Sequence, residues 1–200
     1  MTQPSLDPKK TMLLMAGVYA GVMDTLPHAK NRHVIENAQA VLLAAREAGI
    51  LVCHCATVFR PGYVDLNERN KLLGHRKRSG KPPESDPLQL IHPSVKPFSG
   101  EVVIGKSRAS AFIGSDLELV LRANNIETIV MLGWNTGGVV LATARHASDL
   151  DYRVLLVEDC CADSKPEIHD FLFQHLFPRE TDIVTSQEVV EALANAKTAP

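Results

Sequence analysis

The chain reads as an α/β protein: three layers, α/β/α, around a doubly wound, mainly parallel six-stranded sheet of Rossmann-like type. Three observations predict this. Apolar runs of strand length alternate with segments of helical spacing. The connections between them are short with one exception, which suits a parallel sheet covered on both faces. Finally, Ile129-Val-Met-Leu-Gly133-Trp-Asn-Thr-Gly-Gly138 is an apolar strand breaking into a Gly-rich turn that opens a small-residue helix. In such folds, ligands dock beyond the carboxyl ends of the strands, where helix N-termini present backbone N–H groups.

Taken in order, residues 1–10 are polar with two prolines and read as a loose N-terminal arm. Met12–Ala16 is the first strand, followed by the small-residue loop Gly17–Gly21. From about Asn31 to Ala48, Val34, Ala38, Val41, Leu42 and Ala45 recur at helical spacing, and Gly49 supplies the stop. Ile50–Val58 is a second strand with Leu51, Cys53 and Cys55 on one face and Val52, His54 and Ala56 on the other. The segment 59–100 is long, irregular and rich in Pro, Gly and charge, which marks a lid or interface loop. Glu101–Gly105 is the third strand, ending at Lys106. Ser115-Asp-Leu-Glu118 has the form of a capping box opening a helix. Thr128–Leu132 is the fourth strand, and the helix beginning near Gly137 runs to about Ser148. Tyr152–Val157 is the fifth strand, and Pro166 is a good first residue for the next helix. Asp182–Val184 is a short sixth strand, with a second capping box, Thr185-Ser-Gln-Glu188, before the last helix. The loops Gly17–Gly21, Lys106–Ala109 and Trp134–Gly138 all reach the carboxyl end of the sheet.

Composition narrows the function classes. The 200 residues, 45 % hydrophobic and 22 % charged, describe a single soluble domain over 1–200. A formal net charge of −2 gives no electrostatic case for nucleic acid or anionic membrane. The basic cluster Arg69, Lys71, His75, Arg76, Lys77, Arg78 and Lys81 lacks an aromatic platform and reads as a solvated loop face. Lys9-Lys10 before the apolar run Thr11–Met23 resembles a secretory signal. That run is too short to span a bilayer and reads as the first strand, so a cytoplasmic protein is expected. The cysteines Cys53, Cys55, Cys160 and Cys161 lie in apolar or strand-end contexts, as reduced core thiols do.

Four segments in series resemble the isochorismatase-like (cysteine hydrolase) family: Gly105-Lys-Ser-Arg-Ala-Ser-Ala-Phe112, Ser115-Asp-Leu, Gly133-x-x-Thr136-x-x-Val139-Val-Leu-Ala-Thr-Ala144, and Val157-x-Asp159-x-Cys161-Ala162. The resemblance covers about residues 11 to 190. It implies a three-layer hydrolase fold, a homodimer or homotetramer, and a small-molecule substrate or ligand. It also implies a triad: an Asp ending strand one, a Lys after strand three, and a Cys opening the helix after strand four. In such a site the helix N-terminus favours a thiolate, the Asp takes its proton and backbone N–H groups stabilise the oxyanion. Here those positions are Gly17, Lys106 and Val139, so only the lysine is kept. Asp24, seven residues after Gly17, is a poor substitute because catalytic groups need rigid placement.

Lys106 is therefore the one catalytic candidate. Tyr19, Trp134, Asn135, Thr136, Gly137 and Gly138 are the binding candidates: Tyr19 as a pocket wall, the turn as a cradle for a carbonyl or carboxylate oxygen. A cis Trp134–Asn135 peptide is expected, because relatives carry one there. The family's metal-binding Asp/His pattern after strand two is absent, with His54, Arg60 and Phe59-Arg-Pro-Gly-Tyr63 in its place, so no metal and no cofactor are expected. Two functions follow. One is a hydrolase-like protein acting on or binding a small carboxylate, amide or ether without cysteine acyl-enzyme chemistry. The other is a non-catalytic pseudoenzyme that keeps the pocket and the oligomer.

Overall fold

The structure is a computed structural model and describes residues 4–198. Six strands, β1 (Thr11–Ala16), β2 (Leu51–Thr57), β3 (Val102–Lys106), β4 (Thr128–Trp134), β5 (Arg153–Ala162) and β6 (Asp182–Val184), form one sheet in the order β3-β2-β1-β4-β5-β6. All five pairings are parallel. The order reverses between β1 and β4, the switch point at which doubly wound folds place ligands. Every residue of β1 is buried, as expected of a central parallel strand covered on both faces.

The helices are α1 (Ala20–Met23), α2 (Pro27–Asn31), α3 (Val34–Ala48), α4 (Gly74–Arg78), α5 (Leu117–Ala123), α6 (Leu141–Asp149), α7 (Pro166–Phe171) and α8 (Ser186–Thr198). In α3 the buried residues are Val34, Ala38, Val41, Leu42 and Ala45, the predicted stripe, and Gly49 ends the helix with φ 70°. The Thr185 capping box forms reciprocally: Thr185 N–H donates to Glu188 Oε2 (2.7 Å) and Glu188 N–H to Thr185 Oγ1 (3.2 Å). Among the described residues, no helix is long and apolar enough to cross a membrane.

Several expectations need correction. The Ser115 box is only half formed: Ser115 Oγ accepts from the Leu117 N–H (3.3 Å) while donating to the Ala111 carbonyl, and Glu118 pairs with Arg122 one turn on. The fifth strand runs on to Ala162, because Glu158 and Asp159 find partners in Arg32 and Ser186 instead of ending it. The helix expected from about Asn31 is split at His33, which has φ 52°. Residues 1–3 of the expected arm lie outside the described residues. From Ser5 onward the arm is docked: Leu6 is buried, and Arg153 Nη1 donates to Ser5 O at 2.9 Å.

The segment 59–100 contains α4 and three 3-10 turns, Pro61–Tyr63, Pro87–Gln89 and Pro93–Val95. Phe59, Tyr63 and Leu66 form a small core of their own beneath it. Part of its basic cluster serves the fold: Lys77 Nζ donates to the Tyr63 and Leu66 carbonyls, and Arg78 to the Glu68 carbonyl.

One ion cluster anchors the β2–β3 edge. Arg46 donates to both Glu101 oxygens (2.7 and 2.9 Å), while His54, buried on β2, lies 3.1 Å from Glu101 Oε2. Burial pushes the Glu101 carboxyl up, but Arg46, the Phe98 N–H and His54 together pull it down to about 2. A carboxylate so depressed adds stability above its ordinary value of 4.5, and that contribution is lost as pH falls toward 2. Glu101→Ala leaves Arg46 and His54 without their anion. The expected cost is about 2 kcal/mol, between exposed and fully buried pairs, read by urea denaturation at neutral pH.

Candidate active site

The carboxyl ends of β3, β2, β1 and β4 lie side by side along one end of the sheet, with the switch point between β1 and β4. Lys106, the last residue of β3, lies opposite Thr57 of β2 and is 3 % exposed. Its ammonium donates to Thr57 Oγ1 and to the Arg108 carbonyl, both at 2.7 Å. Tyr19 leans onto the same threonine: its hydroxyl donates to Thr57 Oγ1 (3.1 Å) and accepts from Thr57 N–H (2.8 Å). The Trp134 ring meets the Tyr19 ring edge-on, centroids 6.1 Å apart. Tyr19, Lys106 and Trp134 are thus brought into one corner, through a threonine that sequence reasoning did not select. The alternation of β2 carries the signal, since Thr57 shares a face with Cys53 and Cys55.

The electrostatics follow from burial. Burial lowers the Lys106 pKa to about 8; Cys55 opposes this and the Arg76 guanidinium adds to it. Burial also raises the Cys55 thiol to about 12, with Lys106 pulling the other way, so Cys55 is no nucleophile. All four cysteines are free and buried, as core thiols.

The two positions that the resemblance matches to the family Asp and Cys, Gly17 and Val139, have little free space around them. Gly17 has φ +79°, and a Cβ added there would lie 2.5 Å from the Trp134 carbonyl oxygen and 3.3 Å from the Tyr19 ring. Val139 is packed into the core at 5 % exposure. Asp24 has turned away: its side chain is 61 % exposed and lies 3.1 Å from His92 Nε2. The Trp134–Asn135 peptide is cis, as expected.

The turn after β4 departs from the expected cradle. Gly137 N–H donates to Asp163 Oδ2 at 2.7 Å, and Gly138 N–H to the Asn135 carbonyl at 3.1 Å. The Asn135 side chain also fills the space a Cβ on Gly138 would need. Thr136, wholly buried, pairs with His169 Nδ1 at 2.9 Å. Asp163, just beyond β5, takes the Gly137 N–H, and Asn135 in the turn itself takes the Gly138 N–H. The Thr136 hydroxyl and the N–H groups of Gly137 and Gly138 are therefore engaged within the chain, although Gly137 itself is exposed. Asp163 and His169, which hold this turn, were missed because they lie 26 and 33 residues away from their partners.

The three-layer α/β/α scaffold, with its switch point between β1 and β4 and Lys106 at the end of the outer β3, defines the class of doubly wound α/β folds. The chain belongs to the isochorismatase family: the Isochorismatase domain matches residues 11–188. It is 28 % identical over 159 residues to maleamate amidohydrolase of Pseudomonas putida, covering 80 % of this chain and 74 % of that one. It is 29 % identical over 161 residues to N-carbamoylsarcosine amidase of an Arthrobacter species, covering 80 % and 61 %. A cysteine hydrolase from Pseudomonas syringae pv. phaseolicola superposes with a TM-score of 0.83 at 20 % identity, covering 98 % of this chain and 100 % of that one.

Proposed function

We propose that this isochorismatase-family protein holds a small carboxylate, amide or ether at the Lys106–Thr57–Tyr19–Trp134 corner and performs no cysteine acyl-enzyme chemistry. The observation that carries the reading is the closed site of the missing acid: the Trp134 carbonyl occupies the place a side chain on Gly17 would need. Val139 offers no nucleophile, and the buried thiols have no thiolate character. A binding role is supported by the donors left over. Lys106 has three N–H bonds and uses two within the chain. Trp134 Nε1 is buried and, among the described residues, has no acceptor. Such a donor carries a desolvation cost that a ligand oxygen would remove.

The relatives' names suggest the probes: maleamate and N-carbamoylsarcosine, with a panel of simple amides, carbamates and vinyl ethers. The expected result is no turnover by the wild type, together with saturable calorimetric binding of an acidic amide. Trp134→Phe, which keeps the ring contact but removes the donor, should weaken that binding about tenfold, the worth of one hydrogen bond. Turnover abolished by Lys106→Ala would sink the non-catalytic reading, and a trapped thioester would sink the exclusion of acyl-enzyme chemistry.

A further inference from the structure

A second polar cluster lies on the β5 side of the strand-four turn, away from the β3 edge that carries Lys106. It joins His28 of α2 to His169 and Asp170 of α7, and each residue presents one ligand atom within 4.8 Å of the others. The two imidazoles meet edge-on, with centroids 5.0 Å apart. His169 is 0 % exposed and its Nε2 has no hydrogen-bond partner among the described residues; the nearest acidic oxygen, Glu158 Oε1, is 3.6 Å away. A fully buried imidazole nitrogen without a partner costs free energy, so its persistence needs an explanation.

The geometry points to a divalent transition-metal site, of the zinc class, formed by His28, His169 and Asp170. His169 Nδ1 is engaged by Thr136 Oγ1 at 2.9 Å, and His28 Nδ1 faces both the carbonyl (3.1 Å) and the N–H (3.2 Å) of Asp163. In each ring Nδ1 is therefore engaged within the protein and Nε2 is the nitrogen left for a cation, the orientation that histidine metal sites use. Two neutral imidazoles and one carboxylate suit zinc, with a fourth position open to water. Tetrahedral zinc needs ligand atoms about 3.4 Å apart, so the cluster must contract. The exposed Asp170 and the partly exposed His28 can supply that movement. The nearby Arg32 is paired: Glu158 accepts from its guanidinium at 3.0 Å.

The absence of metal ligands after strand two, from which no metal was expected, does not bear on this cluster. None of its residues comes from β2 or the loop after it. A cation here would cross-link α2 to α7 and, through His169 and Thr136, stiffen the turn that leads from β4 into α6. Its role is therefore structural, and its test needs no activity.

The test uses the tag-free full chain, stripped with a chelator and titrated with Zn²⁺ and, separately, Co²⁺. The expected result is one equivalent of Zn²⁺ bound, a rise in melting temperature with Zn²⁺, and visible Co²⁺ d–d bands without thiolate charge transfer. His28→Gln and Asp170→Asn change residues at or near the surface, so both should fold. Each should weaken Zn²⁺ binding at least about 100-fold, the most that loss of a ligand's own hydrogen-bond partner would cost. Failure to bind a stoichiometric ion, thiolate bands in the Co²⁺ spectrum, or undiminished binding in the two variants would overturn the assignment.

Discussion

Gly17→Asp will cost the fold about 4 kcal/mol and will restore no hydrolysis, whether alone or combined with Val139→Cys. Gly17 has φ +79°, a conformation a residue with a Cβ adopts under strain worth about 1–3 kcal/mol. Its Cβ would also meet the Trp134 carbonyl oxygen at 2.5 Å. That oxygen is backbone at the end of β4, one residue beyond the Ala16–Gly133 pairing, and it cannot retreat without disturbing the central strand pair. Overpacking of this kind adds about 1–3 kcal/mol. For a chain of this size, the sum lowers the melting temperature by about 12 °C. Gly17→Ala separates the causes: it keeps the backbone clash without the buried charge and should carry most of the loss. A double variant that melts like the wild type and forms a thioester with an amide substrate would refute both the strain argument and the proposed loss of chemistry.

The fold was legible because the signals that set it are local and repeat. Buried strands are continuous apolar runs, and α3 shows its core stripe at the spacing a helix requires. Local motifs proved readable only where nothing competed with them. The Thr185 box formed at an exposed helix start, whereas the Ser115 box formed only by half, its hydroxyl donating to Ala111 and its acid pairing with Arg122. The end of β5 was misread because Glu158 and Asp159 resemble a turn. Their partners, Arg32 and Ser186, come from elsewhere in the chain and let the strand continue. The site shows the same division. Lys106, Tyr19 and Trp134 follow from their places at strand ends. Thr57 became visible only once β2 and β3 were paired, and the capture of the Gly137 N–H by Asp163 follows from tertiary packing alone.

Lys106 should give the wild type a pH dependence of stability that Lys106→Met lacks. Its pKa is lowered by burial from 10.5 to about 8, while in the unfolded chain it keeps its ordinary value. Between those limits the unfolded state binds the proton and the native state does not, so stability rises with pH across the window. Below about pH 8 both states are protonated and the native fold carries the full cost of a buried ammonium. At 1.36 kcal/mol per pH unit the shift amounts to about 3 kcal/mol. Urea denaturation of both proteins should show the wild type gaining about that much on Lys106→Met between about pH 8 and pH 10.5. Parallel profiles would mean that the lysine reaches solvent and is not desolvated. The same titration bears on ligand binding, because a carboxylate beside Nζ favours the charged form and raises its pKa again. Binding of an anion at this corner should therefore take up protons above about pH 8 and weaken as pH rises. A ligand held only by Trp134 and the turn would show neither effect.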